Sequence, residues 1–286
     1  MKLVKVSENA YADTEGLTGG NVGVIILDDG VVAVDAQYPA SATLFREQIR
    51  EVTDKHVTHL LLTHVHGDHV FGNQAFEDAD IVAHRRLGEK MEENLKTIWA
   101  PGELEKMVEE TRRKTPERAW LFEGLRIVLP KTVFSDTYAV GPVKMIHTGG
   151  HTDCSSIVYY PDDKLLFSGD ILFVGRFPWA GDPTADPDDW IEAFRTMLKL
   201  DARTIVPGHG PLCDKSEVEK QLGWFKAVRA EMRAQIASGA SEDEAVGHGY
   251  PALYPSDRPE WVEGSLRRWF RVWKGRDSSS QSSTRP

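Results

Sequence analysis

Residues 63–72, with the sequence THVHGDHVFG, decide the fold of this chain. They place His64, His66, Asp68 and His69 within six positions, directly after an apolar run. Neutral imidazole nitrogens and carboxylate oxygens are the ligands that zinc and related divalent cations prefer. One histidine alone would indicate a solvated polar loop, whereas four such side chains at this spacing predict a metal site.

The composition argues against several classes of protein. The chain has 286 residues and a net charge of -10, with 44 acidic against 34 basic residues, so nucleic-acid partners are not expected. It contains neither a signal peptide nor a run of about 18 apolar residues, so no membrane partner is expected. Two cysteines, Cys154 and Cys213, are too few for a disulfide framework. We therefore expect a cytoplasmic protein.

The region around the histidines has a recognisable order of elements. Residues 22–35 predict two β-branched strands joined by an Asp-Gly turn, and Asp35 ends the second strand. A helix is expected to open at Ser41, and a strand over residues 59–62 leads into the histidines. The order is hairpin, helix, strand and ligand loop.

The second half of the chain repeats this order. Residues 156–170 predict a hairpin that ends in Asp170, which corresponds to Asp35. A helix with Asp186 at its N-cap follows, and then a short strand that leads to His209. Chance similarity between two hairpins is the alternative interpretation. If the two units are related and meet along one edge, their histidine loops become neighbours.

Three further ligand candidates follow predicted strands: His151, Asp170 and His209. Each stands beside glycine, which allows the backbone to approach a crowded centre. Alternate residues at a strand end point the same way, so the first two histidines of the cluster and the Asp-His pair after them can face different ions.

With these seven residues in order, the chain resembles the metallo-β-lactamase fold superfamily, whose HxHxDH signature is met by residues 64–69. The resemblance covers roughly residues 20–212. It implies an α/β fold, a four-layered αββα sandwich with the metals at one edge of two sheets, and two divalent metal ions. Zinc is expected first, with iron or manganese as alternatives. By this resemblance His64, His66 and His151 hold the first metal, Asp68, His69 and His209 hold the second, and Asp170 bridges them.

Such a centre implies a reaction class. A metal-bound water has its pKa lowered to about 7, so a hydroxide nucleophile is available at neutral pH. We expect a metallo-hydrolase that cleaves an ester, thioester, lactone or amide-like bond of a small-molecule substrate. Asp68 is expected to be the catalytic residue that orients the hydroxide and handles its proton. Asp35 is expected either to hold a ligand imidazole in its tautomer or only to cap its strand.

Within the superfamily, the ligand set most resembles thioesterases of the glyoxalase II type and lactonases. A mononuclear iron enzyme resembling the persulfide dioxygenases is the first alternative, because residues 150–154 resemble their loops, although Pro178 and Trp179 depart from them. A true β-lactamase is the second alternative. Those enzymes usually carry a cysteine or a non-bridging residue at the position of Asp170, and they are exported. A non-catalytic binding module is disfavoured because no ligand is missing.

The remaining regions carry predictions about organisation. Residues 1–212 are expected to form the metallo-β-lactamase-like domain, residues 213–275 a C-terminal helical extension packed on it, and residues 276–286 a disordered tail. The charged, helix-prone insertion at residues 86–118 is either a lid over the site or an amphipathic connector.

Several side chains have two open interpretations. Phe71, Phe177 and Trp179 are either pocket walls or core residues, and Arg176 pairs either with a substrate carboxylate or with a surface acid. The final helix carries an apolar stripe that either docks on the core or makes a homodimer contact. The stripe consists of Leu266, Trp269, Phe270 and Trp273.

Overall fold

The computed structural model describes residues 1–15, 19–256 and 258–282, the last six of these as main chain only, and contains two β-sheets flanked by helices. The seven strands of the first sheet lie in chain order: β1 Val4–Lys5, β2 Ala10–Asp13, β3 Val22–Leu27, β4 Gly30–Val34, β5 Val57–Leu62, β6 Asp80–His84 and β7 Thr132–Phe134. The second sheet has the order β12-β11-β10-β9-β8 and comprises β8 Thr137–Val140, β9 Val143–His147, β10 Ser156–Tyr160, β11 Leu165–Phe167 and β12 Thr204–Val206.

Eight α-helices are present in the described part of the chain: α1 Pro39–Val52, α2 Gly67–Val70, α3 Arg85–Lys96, α4 Glu103–Lys114, α5 Pro187–Lys199, α6 Lys215–Ala237, α7 Glu242–Gly247 and α8 Pro259–Ser282. As predicted, the Asp186 side chain caps α5 by accepting hydrogen bonds from the N–H groups of Asp188 and Asp189. Helix α1 begins at Pro39 rather than at Ser41, because the fixed φ of proline suits the first turn of a helix.

Alternation of apolar side chains separates the molecule into layers. In β4, Val31 and Ala33 lie in an apolar core with residues of α1, whereas Val32 and Val34 lie in a second core between the two sheets. In β10, Val158 belongs to the inter-sheet core, and its neighbours on either side lie in a third core with α5, α6 and α8. Three cores between four layers confirm the predicted αββα sandwich.

Strand direction brings the ligand loops to one edge. Strands β4 and β5 are parallel, and so are β11 and β12. Strand β9 runs in the same direction as β11, because both are antiparallel to β10. The loops that follow these strands therefore emerge at the same ends of their sheets. Backbone hydrogen bonds join the sheets there, from Ser156 N to Thr63 O (2.9 Å) and from Asn21 N to Gly208 O (2.7 Å).

The C-terminal helices cover the outer face of the second sheet. The apolar stripe of α8 is buried within the chain, where Trp269 contacts Trp190 and Phe225 at ring-centroid distances of 6.5 and 5.0 Å. Within the part of the chain that the structure describes, no helix has the length and apolar character needed to cross a bilayer.

Helix α8 extends into the segment that was expected to be a disordered tail. It is described to Ser282, so residues 276–282 are helical in this structure, while residues 283–286 lie outside the described residues. Extending an existing helix fixes one residue for each hydrogen bond gained, which is less costly than starting a new helix. Arg276 also pairs with Asp186 and Asp188 and ties this part of α8 to α5.

Candidate metal centre

A strand and a short helix position the histidine cluster. Strand β5 ends at Leu62, and the chain turns through His64 and His66 into α2, which carries Asp68 and His69. His66 has extended backbone angles as the N-cap of α2. The strand end and the helix thereby direct the two halves of the cluster to different places, as the spacing predicts.

One group of donor atoms is formed by three imidazoles and a carboxylate. Nδ1 of His66 lies 3.1 Å from Nε2 of His64 and 2.9 Å from Nε2 of His151. Oδ2 of Asp170 lies 3.6 Å from the same nitrogen of His64 and 3.4 Å from that of His151. Four donors from three loops thus surround one point.

A second group lies on the other side of Asp170. Oδ2 of Asp68 is 3.3 Å from Nε2 of His209 and 3.8 Å from Nε2 of His69. The Asp170 carboxylate closes this group as well, with Oδ2 at 3.4 Å from His209 and Oδ1 at 3.2 Å from His69. A single carboxylate therefore stands between two sets of donors, and the structure brings together all seven residues that the sequence singles out.

The donor atoms fit divalent metal ions. Within each group one donor atom per residue lies within 4.8 Å of the others, and a tetrahedral ion at Zn–N distances of about 2.0–2.1 Å separates its ligands by roughly 3.4 Å. His69 Nε2 and Asp170 Oδ1 are buried and make no hydrogen bond, although they lie 3.2 Å apart. Buried polar atoms rarely lack partners, so these two atoms are available to cations.

Protonation differs between the groups. Burial lowers the pKa of His151 to about 3 and holds the pKa of His64 well below its usual value, so both imidazoles are neutral and ready to bind a metal. Burial also opposes charge on His69 and His209, but the surrounding carboxylates outweigh it and raise the pKa of His209 to about 9. A metal ion bound by the second group would replace these protons.

Asp35 orients two of the imidazoles. Its Oδ2 accepts hydrogen bonds from His69 Nδ1 (2.8 Å) and from Thr63 Oγ1 (2.7 Å), and its Oδ1 accepts one from Thr63 N. Thr63 Oγ1 in turn lies 3.1 Å from Nδ1 of His64. The Nε2 atoms of His64 and His69 therefore face the two donor groups. His69 therefore lies between the two corresponding aspartates of the repeated units, Asp35 and Asp170.

Two other outer contacts were not predicted from the sequence. Asp182 accepts a hydrogen bond from His66 Nε2 (3.3 Å), and the carbonyl of Trp179 accepts one from His151 Nδ1 (3.0 Å). Burial opposes ionisation of Asp182, yet hydrogen bonds from His66 and Thr184 hold its pKa well below the usual range. One local feature could have drawn attention to Asp182 in the sequence. It is a short turn in which the Asp182 carboxylate accepts hydrogen bonds from N and Oγ1 of Thr184.

Residues that supply no metal ligand also shape the site. A Cβ atom at Gly208 would lie 2.0 Å from Oδ1 of Asp170, and one at Gly20 would lie 2.3 Å from the ring of His69. Asn21 joins the two units, since its amide donates to the carbonyls of Pro207 and Gly210, both at 2.8 Å. Gly208 allows the close backbone approach that was expected from the glycine beside His209. The sequence analysis did not identify Gly20 and Asn21 as part of the site.

The aromatic and basic residues that were considered for substrate contact lie in different surroundings in the structure. The ring of Trp179 lies 5.2 Å from that of His66, so this tryptophan borders the site. Phe177 packs instead against Trp224 and Trp269, at 5.6 and 6.3 Å. Arg176 is exposed, and its expected contact with a substrate carboxylate stays a prediction.

The insertion reaches the edge of the site. Trp99, which follows α3, packs at 5.2 Å against Phe71, and Phe71 lies directly against Gly67 of the ligand loop. The insertion therefore contacts the ligand loop through a buried aromatic pair, and both the lid and the connector interpretations stay predictions.

We expect Asp35→Asn to weaken binding of zinc at the second group by about 10- to 100-fold, because an amide cannot accept from His69, Thr63 Oγ1 and Thr63 N together. Competition with a chromophoric chelator measures this affinity. Asp163→Asn is the matched control, since Asp163 also accepts hydrogen bonds, from Ser7 Oγ and Asn9 N, but contacts no imidazole. Equal affinities for both variants and the parent would contradict the orienting role.

A four-layered αββα sandwich with histidine and aspartate donors at one edge defines a class of metal-binding proteins. The sequence model of the metallo-beta-lactamase superfamily matches residues 16–209. The chain belongs to this superfamily.

Among curated relatives, the α subunit of 2,4-dinitroanisole O-demethylase from Nocardioides sp. (strain JS1661) is 28% identical over 226 residues, which cover 76% of this chain and 60% of that subunit. A beta-lactamase-like protein 2 homolog from Caenorhabditis elegans is 28% identical over 107 residues, or 36% of this chain and 33% of the homolog. The chain thus spans 60% or less of the length of these relatives.

Solved structures share the fold at low identity. The DIM-1 metallo-beta-lactamase has a TM-score of 0.60 and 18% identity, covering 79% of this chain and 98% of the other. The sec-alkylsulfatase Pisa1 from Pseudomonas sp. has a TM-score of 0.73 and 15% identity, and the match covers 100% of this chain and 52% of the sulfatase. The fold similarity to the sulfatase therefore includes the C-terminal helices.

Proposed function

We propose that this protein is a metal-dependent hydrolase with a dinuclear centre, most simply of zinc, that cleaves an ester, thioester, lactone or amide-like bond. The position of Asp170 carries this proposal, because its carboxylate lies within 3.6 Å of imidazole nitrogens from both donor groups. A carboxylate in this place can bridge two cations. If the two donor groups held two cations, those ions would supply a hydroxide nucleophile at neutral pH and charge stabilisation for the substrate.

Asp68 is the side chain best placed to handle a proton. It retains 24% exposure, compared with 5% for Asp170, so it can reach a water or substrate atom in the cleft. Burial opposes its ionisation, but the charges of His69 and His209 hold its pKa well below the usual range. We assign Asp68 the role of orienting a nucleophilic water and handling its proton because of its position and exposure in the cleft.

The names of the similar proteins refer to reactions of several kinds and to no single substrate. They refer to demethylation of dinitroanisole, to a sec-alkylsulfatase and to β-lactamases. A substrate panel for this protein should therefore contain thioesters, lactones, aryl esters and phosphodiesters, together with 2,4-dinitroanisole, a sec-alkyl sulfate and a β-lactam.

The mononuclear iron alternative would leave the second donor group without a metal. Asp68, His69 and His209 form that group, and His69 is held by Asp35 in the same way that His66 is held by Asp182. A second group with its own outer carboxylate favours the dinuclear proposal. Elemental analysis that found one iron per chain, together with oxygen uptake, would establish the alternative instead.

We expect Asp68→Asn to lower kcat on the best substrate of the panel by about 10²- to 10⁴-fold, because the amide cannot accept a proton. Steady-state kinetics with metal content measured in parallel test this expectation. Asp153→Asn is the control, since Asp153 lies in the loop of His151 but pairs with Arg86 at the surface. If the metal-loaded parent cleaves no substrate of the panel, the hydrolase proposal fails. Parent-like turnover of Asp68→Asn would exclude the proton-transfer role.

The cellular setting is also a proposal. We place the protein in a reducing, cytoplasmic compartment, because Cys154 and Cys213 are both free thiols. Burial raises the pKa of each thiol to about 12, so neither offers a thiolate nucleophile that would compete with the metal centre.

A further inference from the structure

A cluster of aromatic side chains lies beside the second donor group and has no part in holding a metal. The ring of Tyr38 lies 4.8 Å from that of Phe122 and 6.2 Å from that of Phe71, which in turn contacts Trp99. We call these four residues the aromatic wall. Tyr38 and Phe122 are half-buried and keep accessible surface, whereas Phe71 and Trp99 are buried behind them.

The aromatic wall borders the metal ligands directly. A Cβ atom built at Gly19 would lie 3.1 Å from the Tyr38 ring and 3.4 Å from Cβ of Asp68, so both side chains adjoin the same glycine. The charge of Asp68 also acts on the Tyr38 hydroxyl, in agreement with this proximity. This places Tyr38 next to the carboxylate to which the proposed function assigns proton transfer.

The loop that carries Tyr38 is held in a strained conformation. Asp35 and Gln37 have φ angles of 59° and 56°, a left-handed region that residues other than glycine rarely adopt. Such conformations persist where the surrounding structure enforces them, often at functional sites. Here Gln37 donates from Nε2 to Gly20 O at 2.6 Å, and the Ser41 hydroxyl hydrogen-bonds both the N–H and the C=O of Tyr38. The loop fixes Asp35 behind His69 and Tyr38 beside Asp68.

The Tyr38 hydroxyl makes no hydrogen bond to any residue that the structure describes, although the ring is well packed. Burial, followed by the charge of Asp68, raises the pKa of Tyr38, so the hydroxyl stays protonated at physiological pH. It is therefore a free hydrogen-bond donor at the edge of the site. Phenylalanine at position 38 would provide the same ring packing, so packing does not account for the hydroxyl.

We propose that Tyr38 and the aromatic wall form a substrate subsite, in which the hydroxyl donates a hydrogen bond to an oxygen of the reacting group and Phe122 contacts an apolar, planar substituent. This inference rests on the proposed hydrolase function and deepens it by naming a substrate class. That class consists of acyl or related compounds with an aromatic group next to the scissile bond. Tyr38 would then be a binding and catalytic residue that supplies no ligand to a metal.

The test uses the full-length, zinc-loaded protein and two non-hydrolysable probes, phenylphosphonate and methylphosphonate, with binding followed by isothermal titration calorimetry. The parent is expected to bind phenylphosphonate more tightly than methylphosphonate. Tyr38→Phe should weaken binding of both by about 3- to 10-fold, the range for one neutral hydrogen bond. Phe122→Leu should reduce the preference for the phenyl compound and leave methylphosphonate binding unchanged.

Tyr138→Phe is the matched control, since Tyr138 is a partly buried tyrosine on β8 whose ring contacts are His59 and Phe134. Zinc content and unfolding midpoints establish that each variant is intact. The subsite proposal is overturned if Tyr38→Phe binds both probes like the parent, if the parent shows no phenyl preference, or if it binds neither probe. Because these readouts need no turnover, they judge the subsite even if the parent hydrolyses nothing, which would overturn the proposed function alone.

Discussion

Substitution of Asp170 by asparagine is expected to lower kcat/KM for hydrolysis by about 10²- to 10³-fold, the scale of losing one preorganised electrostatic element of an active site. The Asp170 carboxylate lies 3.2 to 3.6 Å from imidazole nitrogens of four histidines, two in each donor group. Asparagine keeps one oxygen, directs an NH₂ group at one set of imidazoles and removes the negative charge. We therefore also expect fewer than two bound metal ions per chain.

Elemental analysis and steady-state kinetics on the same preparation measure both effects. Asp13→Asn is a suitable control, because Asp13 is 4% exposed and Asp170 is 5% exposed, yet Asp13 interacts with the main chain of Lys2 and Glu15 rather than with imidazoles. Two metals per chain together with parent-like turnover in Asp170→Asn would show that this carboxylate does not bridge.

Replacing Trp269 with alanine is expected to lower the free energy of unfolding by about 3–5 kcal/mol, the usual cost of removing a large buried aromatic side chain. Trp269 is fully buried, and its ring contacts Phe225 at 5.0 Å and Trp224 at 5.8 Å. It thereby joins α8 to α6. Loss of the ring would leave a cavity in the core that covers the second sheet.

Chemical denaturation followed by circular dichroism measures this change. Trp261→Ala provides a matched control on the same helix, since Trp261 is 42% exposed and its removal should cost less than about 1 kcal/mol. If the two variants lost equal stability, α8 would not depend on the buried stripe for its attachment.

Local patterns were sufficient for most of the fold. The β-branched runs and the Asp-Gly turn predicted the β3–β4 hairpin, and the N-cap Asp186 predicted the start of α5. These features depend on neighbouring residues, so they can be recognised in the sequence. The helix that the structure describes at residues 276–282 was not expected, because composition does not register the ion pairs that hold Arg276 to α5.

The outer contacts of the candidate site could not be predicted in this way. Asp182 and His66 are 116 positions apart, and the Asn21 amide reaches Pro207 across 186 positions. Tyr38 has no local pattern that distinguishes it from a packing residue. Its position beside Asp68 depends on the strained loop and on the segment Pro116–Phe122, which supplies Phe122.

The sequence by itself determined the chemistry of the candidate site. It contains seven histidine and aspartate donors in the order of the superfamily, and the ligand types follow from side-chain identity and spacing. Only the tertiary structure decided which donors share a space the size of an ion, and that Asp170 faces both groups. It also decided that Asp35 hydrogen-bonds His69 and that Tyr38 and Asp68 adjoin the same glycine. The physical reason is that such distances are set by packing two sheets against each other, and this packing joins residues that are far apart in the chain.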